Sequence, residues 1–159
     1  MQVLISDANI LIDMDVGGLI ESLFQLPYQL KVSDLLFHDE LAHYHDHLID
    51  LGLELQELTP DSMREAQRLT DTYRDPSRYD CFSLALAKQE GCPLLTGDKN
   101  LRKAAKKEAV IVMGTIWLVE EMVAHNIIDK TAAALAYSAM EAAGSRLPWA
   151  EARKRLAGL

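Results

Sequence analysis

Carboxylates recur in this sequence directly behind apolar runs. Asp7 follows "QVLIS" and Asp98 follows "LLTG". Asp34, then Asp39 and Glu40, come after "YQLKVS", and Asp80 opens the stretch "CFSLALA". Crowded carboxylates raise each other's pKa unless a cation lies among them. Hard oxygen donors in a wet cleft suit Mg2+ or Mn2+, which activate water and stabilise a phosphoryl transition state. Each acid alone has a plainer use, because acids cap helices and favour helix N-termini. Ser77-x-x-Asp80 also fits a capping box. The case for chemistry rests on four separated segments placing acids at matching positions.

A second candidate is "HDELAHYHDH" (38–47), which holds four of the five histidines. His43 and His47 are four apart and could grip one ion on a helix. His43, His45 and His47 cannot all share a helix face, and no cysteine lies nearby. A wet helix face is the simpler expectation, with His43 edging a cleft beside Glu40.

Elements must carry these acids to one place. "QVLIS" (2–6), 28–34, 53–58, 92–98 and 109–114 read as strands, with 53–58 alternating as a half-buried or edge strand does. Helical character fills 9–26 with a break at Gly17-Gly18, and 35–52 with Gly52 as C-cap. Thr59-Pro60 starts a helix reaching about Arg74. Another runs from Ser77 or Asp80 to Gly91, and "KNLRKAAKKE" forms a short one. Three helical stretches close the chain at 115–126, 130–143 and 148–157. Alternating strands and helices predict a three-layer α/β/α sandwich around a mostly parallel sheet. Right-handed crossovers bring the strand C-terminal ends, and the acids behind them, to one edge. In such sheets that edge carries the functional crevice.

The 159 residues suffice for one domain, and no repeat, low-complexity linker or composition break divides them. Cys81 and Cys92 match no zinc or redox spacing and suggest a reducing compartment. "MQVLISDAN" lacks a basic region before its apolar run, so no signal peptide is expected. "AVIVMGTIWLV" is too short to span a bilayer. A cytoplasmic protein with no membrane partner is the expectation. With 24 acids against 16 Lys and Arg, the formal charge of −8 is a poor global field for nucleic acid. Any such role needs a local basic patch or metal-recruiting acids.

"ISDANILID" (5–13), Glu40-Leu41, "YDCFSLALA" (79–87) and "PLLTGDKNLRKAA" (93–105) together resemble the PIN-domain ribonucleases. The resemblance covers about residues 2–120, in the family's order and spacing, and is nearest to the VapC-like toxins of toxin–antitoxin pairs. It implies catalytic and metal-binding roles for Asp7, Glu40, Asp80 and Asp98. It also places Asn9 and Thr96 where a hydroxyl or amide would orient Asp7 or a water. A strand-end hydrogen bond and a helix N-cap would account for those two as well. Asp39 beside Glu40 leaves open which acid faces the rim, since successive helical residues point about 100° apart; the family pattern favours Glu40. An RNA substrate, an antitoxin protein and a homodimer are the partners the resemblance implies. Residues beyond 120 match no motif; Trp117 and the later helices read as core.

Lys99, Arg102, Lys103 and Lys106 share one face of "KNLRKAAKKE", with Leu101, Ala104 and Ala105 opposite. Beginning one residue after Asp98, that face could track RNA phosphates beside a cut, or simply be solvated. Arg74 and Arg78 are weaker candidates, and the "ARKRL" tail is expected to be solvated. Three rival readings stand. A haloacid-dehalogenase-type phosphatase also ends its first strand in Asp-x-Asp, but Asn9 takes the third position here. A receiver-like module would want a lysine after the last strand, which "AVIVMGTIW" lacks. A catalytically inactive PIN-like module binding RNA or protein is the third.

Overall fold

The computed structural model describes residues 1–159. The chain runs β1 (Gln2–Ser6), α1 (Ala8–Val16), α2 (Ile20–Leu23), β2 (Tyr28–Ser33) and α3 (Asp34–Leu36). A π-helical turn (Phe37–Leu41) leads into α4 (Ala42–His45), α5 (Leu48–Leu51), β3 (Glu54–Gln56), α6 (Pro60–Thr72) and α7 (Arg78–Glu90). Then come β4 (Leu94–Leu95), α8 (Lys99–Lys107), β5 (Val112–Met113), α9 (Thr115–Ala124), α10 (Lys130–Ala142) and α11 (Trp149–Ala157).

The five strands form one sheet, ordered β3-β2-β1-β4-β5, with every pairing parallel. Successive strand residues point to opposite faces, and the core divides accordingly. Leu4, Leu30, Val32 and Leu95 join α1, α2, α9, α10 and α11 on one face. Ile5 and Leu94 join α6, α7 and α8 on the other. The α/β/α layering matches expectation, and β3 lies at an edge, one of the two places its alternation allows. The middle of α7, Cys81 to Ala87, is buried on every side, with charged and polar residues at both ends of the helix. It ends at Gly91, whose φ of 62° is the left-handed cap that glycine adopts without strain.

Two expected strands are shorter than their apolar runs. Only Leu94–Leu95 and Val112–Met113 are regular. The ladder nonetheless reaches past them: Ile5 N–H donates to Pro93 O, Leu94 N–H to Ile111 O and Thr96 N–H to Met113 O. The helix expected over 35–52 is broken into α3, α4, α5 and the π-helical turn. A π turn inserts an extra residue and is common at functional sites; Glu40 sits in this one. α9 and α10 pack against α1, and the flexible tip of Met140 lies over Gly17, where a Cβ would displace it. No helix is long and apolar enough to cross a membrane.

α1 and α2 cover one face on the way from β1 to β2, while α8 covers the other from β4 to β5. The crossovers therefore diverge between β1 and β4. Their C-terminal ends form the topological switch point, where open α/β sheets hold ligands.

Candidate active site

The β1–β4 pairing sets Ser6 opposite Leu95, and Asp7 N–H donates to Leu95 O at 3.0 Å. Asp7 and Thr96 thus leave adjacent strands side by side. Asp7 caps α1, with Oδ1 accepting from Ile10 N–H at 2.9 Å. Its Oδ2 accepts a short hydrogen bond from the Thr96 hydroxyl. Thr96 Oγ1 in turn accepts from Asp98 N–H at 3.0 Å. One buried hydroxyl therefore ties the ends of β1, β4 and α8 together. Asp7 is only 3 % exposed. Burial pushes its carboxyl up to about 7, the charges of Asp80 and Asp98 add to that, and the Thr96 and Ile10 hydrogen bonds oppose it.

Asp98 caps α8 through Oδ1, which accepts from Leu101 N–H at 2.8 Å. Asp80 completes a capping box at the start of α7: its Oδ2 accepts from Ser77 N–H at 2.9 Å, and Asp80 N–H donates to Ser77 Oγ. Ser77 and Asp80 cap jointly rather than as alternatives. Asp80 is raised by burial and by the charge of Asp98. The capping and site readings of these acids are compatible. One oxygen of each caps a helix, and the other makes no hydrogen bond within the protein. Three helix N-termini point at this rim, and their partial positive charge partly offsets the repulsion.

Glu40 comes to the rim from the π turn. Burial, then the charges of Asp80 and Asp39, hold its carboxyl above the usual range. Asp39 is engaged elsewhere, accepting a hydrogen bond from the Tyr79 hydroxyl. The two neighbours thus part, and Glu40 is the one without a hydrogen-bond partner. Asp7, Asp80 and Asp98 act on one another, and Glu40 joins through Asp80. Of the two polar supporters, Thr96 bonds Asp7. Asn9 neither caps α1 nor bonds Asp7; it lines the neighbouring cleft.

No group of three or more His, Cys, Asp or Glu side chains forms a ready cage for a metal ion. The donors at the rim are all hard carboxylate oxygens, and their mutual repulsion is what a divalent cation would relieve. Hard carboxylate oxygens are the donor type that Mg2+ or Mn2+ takes, one or two at a time, with water or phosphate oxygens in the remaining positions.

Two hollows meet at Gly97 and Lys99. One, of about 640 Å³, is lined by Asn9, Asp13, Asp98, Ser145 and Arg146 among others. The second, of about 530 Å³, takes Lys99, Arg102, Lys103 and Lys106 on one wall. The predicted basic face therefore lies beside Asp98. Asp13, Ser145 and Arg146 were not foreseen. Ser145 Oγ donates to Asp13 Oδ1 at 2.7 Å and fastens the loop bearing Arg146. Asp13, an acid on an apolar helix, was a usable signal; the loop after α10 offered none.

His45 and His47 lie elsewhere, while His38 shares the π turn with Glu40. His45 and His47 approach Asp15 Oδ2 at 3.5 and 3.9 Å, near the C-terminal end of α1. Asp7 caps the opposite end, eight residues or about 12 Å away. The break between α4 and α5 lets two residues of i, i+2 spacing face one acid. His43 packs edge-on against Tyr44 and makes no hydrogen bond with Glu40.

The chain is similar to a PilT N-terminus domain protein from the hyperthermophilic archaeon Sulfolobus solfataricus P2. Identity is 14 %, the TM-score is 0.54, and the match covers 77 % of this chain and 94 % of that one. At that identity the likeness is one of fold. No curated protein matches the sequence. A family model, DUF3368, described as a PIN domain, matches residues 3–158. With nearly the whole length matched and the parallel sheet in agreement, the chain belongs to the PIN-domain family, a nuclease-type fold.

Proposed function

We propose that this PIN domain is a divalent-metal-dependent endoribonuclease hydrolysing RNA phosphodiesters. Asp7, Glu40, Asp80 and Asp98 would hold Mg2+ or Mn2+. The observation that carries this reading is the cluster of mutually repelling carboxylates at the β1–β4 switch point, beside a basic face with no ion-pair partners. When bound, the ion supplies positive charge that acidifies water and offsets the charge on the phosphoryl group. The protein's share is placement. Thr96 fixes Asp7, the helix caps fix Asp80 and Asp98, and the cations of α8 hold the phosphate chain. One of the four carboxylates would accept the proton of the attacking water.

The biological reading is a toxin neutralised by an antitoxin protein, with a homodimer as the further assembly. Purified protein should cleave RNA with Mn2+ and stop with EDTA. Asp98→Asn should abolish cleavage while keeping the fold, because Asn caps a helix as well as Asp does. Cleavage by Asp98→Asn at the wild-type rate would overturn the assignment. No cleavage at all by pure, folded wild type with metal would favour the inactive binding module. For the toxin, expression should arrest growth with wild type and not with Asp98→Asn, and a small adjacent reading frame should relieve the arrest.

A further inference from the structure

The hollow beside α8 has two unlike walls. Lys99, Arg102, Lys103 and Lys106 form one. None of them has a carboxylate partner within the protein, and no acid lines the hollow. Ala109, Val110, Ile111 and Val112 form the other, wholly apolar wall. Ile111 is 64 % exposed although it leads directly into β5. Ala109, with φ of 60°, turns the chain back so that this segment rises alongside α8. Gly97, between Thr96 and Asp98, lines both this hollow and the acidic cleft.

Cations alone would suit any polyanion. Cations facing an apolar wall suit an anion with a flat apolar part. A nucleotide has both, and about 530 Å³ is ample for one. We propose that this hollow is a nucleobase subsite. A base lies against Val110 and Ile111, roughly 10 Å along the sheet from the carboxylate edge, while the phosphates running back toward Asp98 meet Lys106, Lys103, Arg102 and Lys99. Ile111 then determines how strongly one position of the substrate is held, which the phosphate contacts cannot do. The subsite rests on the proposed RNA cleavage and adds a base-reading position to it.

The test couples the protein to the base. RNA oligonucleotides carrying one abasic residue at successive positions are titrated in EDTA, with anisotropy as the readout, so cleavage plays no part. For the wild type, one abasic position should weaken binding about fivefold to tenfold, in the range of a base–side-chain contact. Ile111→Asn, at an exposed position, should keep the fold, bind intact RNA more weakly by the same factor, and lose its sensitivity to that position. Equal binding by Ile111→Asn and wild type, or an abasic penalty that survives in the variant, would overturn the subsite. Loss of protein–protein association in Ile111→Asn with RNA binding unchanged would overturn it in favour of a protein partner. The two readings separate cleanly. Base coupling without metal-dependent cleavage sinks the nuclease and keeps the subsite, and cleavage without coupling does the reverse.

Discussion

The two ends of α7 and α8 handle charge in opposite ways. At their N-termini Asp80 and Asp98 face other acids with no cation between them. At the far end Lys88 donates to Glu65 at 2.6 Å and to Glu108 at 2.9 Å, while Arg68 reaches both carboxylates and Tyr73 donates to Glu108. Hydrogen bonds from Arg68, then Lys88, hold Glu65 down to about 2. Burial works against Glu108, but Tyr73, Lys88 and Arg68 win and hold it below its ordinary value. Asp7, in contrast, is pushed up to about 7. A network that satisfies its charges serves the fold. A cluster that leaves them unsatisfied stores repulsion that a cation can relieve.

The strongest break of that contrast is Asp7→Asn. Cleavage should fall at least about 100-fold. Metal-free stability should rise by about 0.5–2 kcal/mol, because the repulsion and the desolvated charge are both removed. The pH signs then separate the two ends. Asp7 has a folded pKa above its unfolded value, so its contribution is present below about pH 4 and fades as pH rises through about 7. Glu65 is the reverse: its contribution is present above about pH 4.5 and is lost as pH falls toward 2. Thermal melts in EDTA should show Asp7→Asn flattening the upper window and Glu65→Gln the lower one. If each mutant alters the other's window, the contrast is wrong.

Thr96→Val comes next. It removes the donor that opposes the rise in Asp7 and the acceptor for Asp98 N–H. Cleavage should drop about 10–100-fold. The acid limb of the pH–rate profile should move to higher pH, a shift that a merely loosened fold would not produce. Glu108→Gln tests the other end. It should lower stability by about 1–2 kcal/mol in denaturant melts, since Arg68 and Lys88 lose one of the two carboxylate charges they share. The specific rate of cleavage should not change. The smallest effect belongs to Arg102→Ala. With no partner in the protein to lose, stability should stay within about 0.5 kcal/mol. RNA affinity should fall a few-fold, and the slope of log K against log salt should flatten by about 0.7.

Much of the layering was legible because strand and helix periodicities are local. β1, β2 and α6 were readable to within two residues, as were the caps at Thr59 and Gly91, while the start of α7 was open between Ser77 and Asp80. The bounds of the short parallel strands were not readable, since only two residues each of β4 and β5 are regular within apolar runs that continue past them. The π turn also escaped notice. Phe37 and Leu41 of the turn are buried in the core, and no residue along the turn marks the change of helix type. The histidines show the same limit. Their spacing argued only against one shared face, and Asp15 became their neighbour through a helix break no local pattern marked.

By itself the sequence determined the chemistry on offer: acids behind apolar strands, a hydroxyl two residues before Asp98, and a row of cations after it. Those follow from residue type and from short-range spacing. Only the tertiary structure decided the selection among them. The strand order 3-2-1-4-5 made the β1–β4 edge the meeting point, and a single hydroxyl there set Asp7 against Asp98. Tyr79 drew Asp39 away and left Glu40 facing Asp80. Pairing and repulsion act over a few ångströms of space, and the chain distance between Asp7 and Thr96, 89 residues, carries no trace of it.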